Sequence, residues 1–493
     1  MKRVLVIGLD GACFDVIDRL ADGGAVPTLE RLMRDGVRGP LESTVPPTTI
    51  PAWFSMATGL PPGELGVSDF LYFDPRQGRM RGVGSSILCG RAVWDVLGRV
   101  GLRVGLLNFP LLWPPCPVNG FATTGVGATA DDEYAWPREL KQEIERVAGG
   151  RYHPVVPYHK PRYDDLDLFF DDLETAFEGH DRVATHFARK DDWSLLWVVF
   201  SATDWLQHRT WSAIAGGSDG AESDTLRRHD AFWTRVDRAI AGLIEAAGDG
   251  TTVLVVSDHG FGSNDLVFRL NAWLEQWGYL TRRGEGRGST VAERSARAVR
   301  AVARAVGVHR LAPALYDRGR RAARPAWTSA SHRIDLEEST AFDPGHTVPF
   351  GGIYVRGAAD EPERAERIAR ELSEWGRENG VEIDSRVRRG QPVSNGRRMP
   401  DIIVSVEGWS GVILKEELDG PLIERRPLST RHTGSHRPEG ILVAHGPGVA
   451  NGVRTRARIT QIAPTILRSL GLDVPQEMTD GVMSECLPDD DRP

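Results

Sequence analysis

Five short stretches of the sequence hold acids, imidazoles and a hydroxyl at spacings that suit shared chemistry. Asp10 ends the run Val-Ile-Gly-Leu-Asp, Asp204 and His208 stand four apart in Asp-Trp-Leu-Gln-His, Asp258 and His259 adjoin after Val-Val-Ser, and His436 follows Thr-Gly-Ser. Carboxylate oxygen with imidazole nitrogen suits Zn, Mn or Fe better than Ca or Mg. The i, i+4 pair falls on one helical face, as a two-point metal ligand requires. Taken singly, each has a plainer reading: Asp10 or Asp258 as a helix N-cap, His259 as a surface residue, Asp204 and His208 as a chance pair. His432, four residues before His436, is an equal candidate on spacing alone. The fifth stretch is Val-Pro-Pro-Thr48-Thr49-Ile-Pro51. Pro51 fits the first turn of a helix, which puts Thr49 at a helix N-terminus, where free N–H groups and the dipole favour an alkoxide and an incoming anion. The plainer alternative makes Thr48 or Thr49 only the cap.

Positioning these groups takes a sheet. Val4–Ile7, Val104–Leu107, Leu195–Phe200, Val253–Val256 and Ile441–Ala444 are short β-branched runs bounded by Gly, Asp or Pro. Helix-like segments alternate with them: Val26–Asp35, Ile50–Thr58, Asp204–Trp211, Arg227–Ala247 and Ile459–Leu470. This rhythm predicts an α/β fold, a doubly wound, mostly parallel sheet with helices on both faces. Ligands of such folds bind outside the carboxyl ends of the strands, which is where Asp10, Asp204 and Asp258 fall. The core is expected over 1–281 and 429–493. An Arg-rich helical insertion, 282–339, and a smaller α+β cap, 340–428, with a strand Gly352–Arg356 and a polar helix Glu361–Glu378, interrupt it.

Charge and composition narrow the function classes. Of 493 residues 41% are hydrophobic and 26% charged, a globular balance. Sixty bases against 68 acids give −8, so no overall field favours nucleic acid or an anionic membrane. That total hides a contrast. Arg282 to Arg333 contains thirteen arginines and three acids, a net +10 against −18 for the remainder. Arg294, Arg297, Arg300 and Arg304 fall opposite Val291, Val299, Val302 and Val306 on a helix, read as a solvated face in preference to a lid for anionic substrates. Cys13, Cys89, Cys116 and Cys486 are too few and scattered for a disulfide framework or a CxxC zinc site, so a reducing compartment is the default. The apolar start, Val4–Ile7, is too short for a signal core, and no stretch reaches membrane-span length; a cytoplasmic protein is expected.

The motifs occur together in a familiar order. Leu9-Asp10-Gly11, PPTTIPAWFSMATGLPPGELGV, the Asp204/His208 pair after a strand, Ser257-Asp-His-Gly-Phe261 and GSHRPEGILVAHGPGV resemble the alkaline phosphatase superfamily in its type I phosphodiesterase/nucleotide pyrophosphatase branch. Ala463-Pro-Thr-Ile-Leu extends the likeness to about 470. The resemblance implies two divalent metal ions, zinc by preference and Mn or Fe as alternatives. Asp204, His208 and His436 would hold one, and Asp10, Asp258 and His259 with the Thr49 oxygen the other. Thr49 matches the nucleophile because it stands two residues before Pro51. Three aspartates and three neutral imidazoles around two such ions leave the pocket at +1, suited to an alkoxide and an anionic phosphate. The implied reaction is hydrolysis of a small phosphodiester, pyrophosphate or phosphomonoester through a phosphothreonine. The chain departs from the family at Ala52, where many members have Asn, and at Leu65, where His is common; both bear on nucleotide specificity. A sulfatase would need Cys or Ser in place of Thr49. Phosphonate hydrolysis, phosphoryl transfer, and a non-catalytic metal-bound scaffold using the Arg-rich segment are the alternatives.

Overall fold

The computed structural model describes residues 2–75, 77–190, 192–216, 220–283, 333–346, 349–356, 361–388, 397–415, 417–426, 429 and 432–487. A ten-stranded sheet runs through its middle. Arg3–Leu9 lies between Leu195–Phe200 and Thr251–Val256 and is parallel to both. Val104–Phe109 and Gly120–Thr124 continue the parallel part. Glu439–His445 enters antiparallel to Thr251–Val256 and joins it to Val37–Glu42.

The central strands are apolar on both faces because both are covered. Leu5, Ile7 and Leu9 point into one hydrophobic cluster and Val4 and Val6 into the other, the two-residue alternation of a strand. Helices Pro27–Asp35, Leu166–Ala188 and Gly220–Ala247 line the first face. Thr49–Thr58, Val93–Arg99 and Ile462–Ser469 line the second. The result is the three-layer architecture anticipated from the alternating runs. Helix Leu166–Ala188 adds to the expected helices and buries Phe169, Phe170, Leu173, Phe177 and Phe187 in the first cluster. Its start is marked by Asp165, whose carboxylate accepts from the backbone N–H groups of Asp167 and Leu168.

Beside this core stands a smaller sheet ordered Ala341–Phe342, Gly351–Val355, Ile402–Val406, Ile383–Val387 and packed under helix Glu361–Glu378. Leu266 and Phe268 of Leu266–Arg269 and Leu270, Trp273 and Leu274 of helix Leu270–Gln276 are buried in the same cluster. Leu266–Arg269 also pairs with Gly411–Leu414. The basic helix expected around Arg294–Arg304 lies outside the described residues.

The cysteine reading needs correction. Cys89 and Cys116 form a disulfide, their Cα atoms 6.0 Å apart. The bond joins two loops that spacing could not pair: the Ser85 hydroxyl donates to the Pro114 carbonyl, and the Ser85 N–H to that of Trp113. Cys13 and Cys486 are free and buried. Disulfides persist in oxidising surroundings, so the cysteines no longer argue for a reducing compartment. Among the described residues no helix is long and apolar enough to cross a membrane.

Gly8 shows how tightly the helix bearing Thr49 is seated. A Cβ there would stand 2.4 Å from the Trp53 ring, which meets Phe109 and Trp197 edge-on at 6.1 and 6.4 Å between centroids. Gly8→Ala is expected to destabilise the fold by about 1–3 kcal/mol through displacement of this ring. A lower urea midpoint at unchanged slope is the measurement that checks it.

Candidate active site

The residues singled out for chemistry gather at the carboxyl edge of the sheet. Asp10 directly follows Arg3–Leu9, and Asp258 and His259 follow Thr251–Val256. Asp204 and His208 lie on helix Ala202–Ile214, which begins two residues after Leu195–Phe200. His436 is on the strand Gly434–Arg437, antiparallel to Gly260–Ser263 and opposite Phe261. Thr49 is the first residue of its helix and is buried.

Two groups form, sharing one wall. In the first, the Asp204 Oδ1 lies 3.4 Å from His208 Nε2 and 3.2 Å from His436 Nε2, and the two imidazole nitrogens are 3.2 Å apart. In the second, His259 Nε2 stands 3.5 Å from Asp10 Oδ1, 3.2 Å from Asp258 Oδ2 and 3.4 Å from the Thr49 hydroxyl. The His259 and His436 rings stack at 3.6 Å between centroids. Candidate ligand atoms of Asp204, His259 and His436, and of Asp10, Asp258 and His259, lie mutually within 4.8 Å.

The donor chemistry fits a cation. Each histidine directs Nδ1 at a backbone carbonyl: His208 at Gly434, His259 at Gly260, His436 at Pro47, at 3.0, 3.0 and 3.2 Å. A carbonyl only accepts, so Nδ1 carries a proton and Nε2 is the atom turned to the site, its lone pair free for a cation in the neutral ring. Burial lowers the pKa of both His259 and His436, which favours that neutral form. Facing those lone pairs are Asp10 Oδ1, Asp204 Oδ1 and Asp258 Oδ2, all buried and without a hydrogen-bond partner. Burial, reinforced by the charges of Asp258 and Asp204, holds the Asp10 carboxyl well above the usual range, and burial raises Asp258 likewise. Burial pushes Asp204 up too, and protons on the Nε2 atoms of His208 and His436, which a cation would displace, are what hold that carboxyl well below. Orphaned oxygens opposite nitrogen lone pairs are the electrostatics of a site shaped around positive charge.

Supporting contacts that spacing did not reveal fix these groups. Thr203 Oγ1 donates to the Asp10 carbonyl at 2.6 Å and Gln207 Nε2 to that of Gly11 at 2.7 Å. Both belong to the Asp204/His208 segment, so the helical period that pairs the acid with the imidazole could have identified them. Gly11, at φ +71°, donates its N–H to Asp258. Tyr158 stacks on His208 at 4.9 Å with 10° between planes, and no motif around it points to that position. The two alternatives left open by spacing separate in space. Thr48 turns its hydroxyl to the Ser68 carbonyl, while Thr49 faces His259. His432 stands behind His208, 4.1 Å between rings, and His436 reaches Asp204. Ala52 and Leu65 are buried in the apolar cluster that contains Trp53.

The profile of the family described as type I phosphodiesterase / nucleotide pyrophosphatase matches residues 4–438. The chain belongs to this family. A type I phosphodiesterase is a metal-dependent hydrolase of phosphodiester and pyrophosphate bonds, and the fold agrees. Murine ectonucleotide pyrophosphatase/phosphodiesterase 5, solved as an inactive variant with AMP, superposes with a TM-score of 0.51 at 14% identity over 96% of each chain. The human protein of that name gives 0.50 at 14% over the same shares. No curated protein matches this phosphodiesterase in sequence.

The raised pKa of Asp10 has a measurable consequence. Its contribution to the stability of the metal-free chain is fully present below the ordinary carboxylate pKa of about 4 and is lost as pH rises through the folded value. Asp10→Asn cannot ionise and escapes that loss. In chelator, the variant is expected to melt roughly 2–4 °C above the parent at pH 8 and level with it at pH 4. Added zinc should reverse the order at pH 8. Thermal melts at both pH values, with and without EDTA, check each half.

Proposed function

We propose that the chain hydrolyses small anionic phosphodiesters or pyrophosphates in two displacements, with Thr49 as the transiently phosphorylated nucleophile. The observation that carries this reading is the convergence of the Thr49 hydroxyl, three imidazoles and three unpartnered carboxylate oxygens at one strand edge. Asp204, His208 and His436 would hold one divalent cation, and Asp10, Asp258, His259 and the Thr49 oxygen a second. Zinc is favoured by the mixed nitrogen and oxygen donors. When bound, the cations supply the positive charge that lowers the Thr49 pKa and neutralises phosphoryl and leaving oxygens.

The chain's own residues supply the rest. The Thr49 backbone begins a ten-residue helix, so an incoming phosphoryl oxygen meets unpaired N–H groups and the positive end of the dipole. With Ala52 in place of the family's Asn, these backbone donors carry more of that task. In the first displacement the Thr49 oxygen, having released its proton, bonds to phosphorus as the ester P–O bond breaks, and the leaving alcohol departs with a proton. In the second, a water oxygen bonds to phosphorus, the P–Oγ bond breaks, and Thr49 recovers a proton. Burial of Thr49 keeps bulk water from competing with the first step.

Thr49→Ala is expected to retain its metal by elemental analysis while losing about 10³-fold or more of its turnover of an aryl phosphodiester. Unchanged turnover would overturn the nucleophile assignment. A rate panel of aryl phosphodiester, aryl phosphomonoester, nucleotide and sulfate ester is expected to rank the diester or the nucleotide first.

A further inference from the structure

One strained turn of the smaller sheet touches both sides of the site. Between Ile402–Val406 and Gly411–Leu414 the chain passes through Glu407, Gly408 and Trp409 with φ of +51°, +55° and +76°. Gly408 adopts this region freely, but Glu407 and Trp409 do so against the clash of their Cβ atoms. Such conformations persist only where the surroundings impose them. Here the Glu407 N–H donates to the Glu382 carbonyl at 2.9 Å, and the Glu407 carbonyl accepts from the N–H and hydroxyl of Ser410 at 2.9 and 2.6 Å.

The turn delivers Trp409 to two places at once. Its ring is buried with Phe350 and Ile403, and Val45 of the loop leading to Thr49 packs against that small cluster. Its carbonyl accepts from Nη1 of Arg437, the residue after His436. Arg437 also donates through Nη2 to the Ser263 carbonyl, and its side chain lies so close over Gly262 that a Cβ there would meet Nε at 2.5 Å. His436 in turn donates from Nδ1 to the Pro47 carbonyl of the Thr49 loop. Trp409 thus contacts both the Thr49 loop, through its ring, and the His436 strand, through its carbonyl.

We propose that Trp409 and Arg437 are positioning residues, a clasp that sets the Thr49 loop against His436. The inference rests on the reading of Thr49 and His436 given above. Neither residue touches the reacting atoms, so the clasp acts on the geometry of attack and leaves the donor set intact. A displacement of about 1 Å at an attacking atom can cost 10²-fold in rate.

The test uses the full chain with zinc and an aryl phosphodiester. Trp409→Ala is expected to lower kcat tenfold or more with KM within twofold and zinc content unchanged, and Trp409→Phe to recover most of the loss. Arg437→Lys, which keeps the charge but cannot span both carbonyls, is expected to lower kcat in the same way and serves if Trp409→Ala does not fold. A drop in melting temperature with kcat per folded enzyme unchanged would reduce the clasp to a structural contact. Equal losses in the Ala and Phe variants would also overturn it. Full activity of Thr49→Ala would remove the nucleophile reading by itself, whereas the Trp409 comparison is made with Thr49 in place and reports on the clasp separately.

Discussion

Three buried carboxylate oxygens face imidazole nitrogens whose protons are committed elsewhere. Because Gly434, Gly260 and Pro47 offer only carbonyl oxygens to the Nδ1 atoms, the Nε2 atoms point inward, and in the neutral rings their lone pairs face the carboxylate oxygens. Such an arrangement is unfavourable without a cation, and the surrounding structure exists to sustain it. Three parallel strands end at one edge so that three acids arrive together. Strand Gly434–Arg437 crosses that edge to bring the third imidazole. The hydrophobic clusters on both faces of the sheet stabilise what the site alone would not.

Much of this was legible in the sequence, for identifiable reasons. A strand that is apolar on both faces and ends in Asp reads the same way wherever it occurs, so the strands ending before Asp10, Asp204 and Asp258 were found together with the acids they carry. The i, i+4 spacing of Asp204 and His208 is intrinsic to a helix and needs no tertiary information. Other features depend on contacts between distant segments. Nothing near Thr48 reveals that Ser68, twenty residues on, takes up its hydroxyl and leaves Thr49 to face the site. His432 and His436 differ only in which of them reaches helix Ala202–Ile214 from the inner side. Cys89 and Cys116 meet because loops fold over Ser85, a matter of packing that residue counts cannot register. Tyr158 belongs to a stretch without periodicity, and its stacking on His208 follows from where the chain returns after strand Ala135–Trp136.

The departures from the family also acquire a physical setting. Ala52 and Leu65 sit in the same apolar cluster as Trp53, so their side chains belong to the packing beneath the Thr49 helix. In the mechanism proposed above, stabilisation of a phosphoryl oxygen would therefore fall to the backbone N–H groups of the helix N-terminus.

His259 belongs to both groups of donors: it contacts Asp10, Asp258 and Thr49, and its ring lies flat on that of His436. Any charge that settles on one side is felt on the other through this ring, and through Asp204, whose charge raises the pKa of both other acids. The two halves are consequently one thermodynamic unit, with a coupling free energy that is reciprocal: whatever the first occupant does to the affinity for the second, the second does equally to the first. Loading of two cations, as proposed above, would then be a property of the pair, and a single dissociation constant would describe neither half.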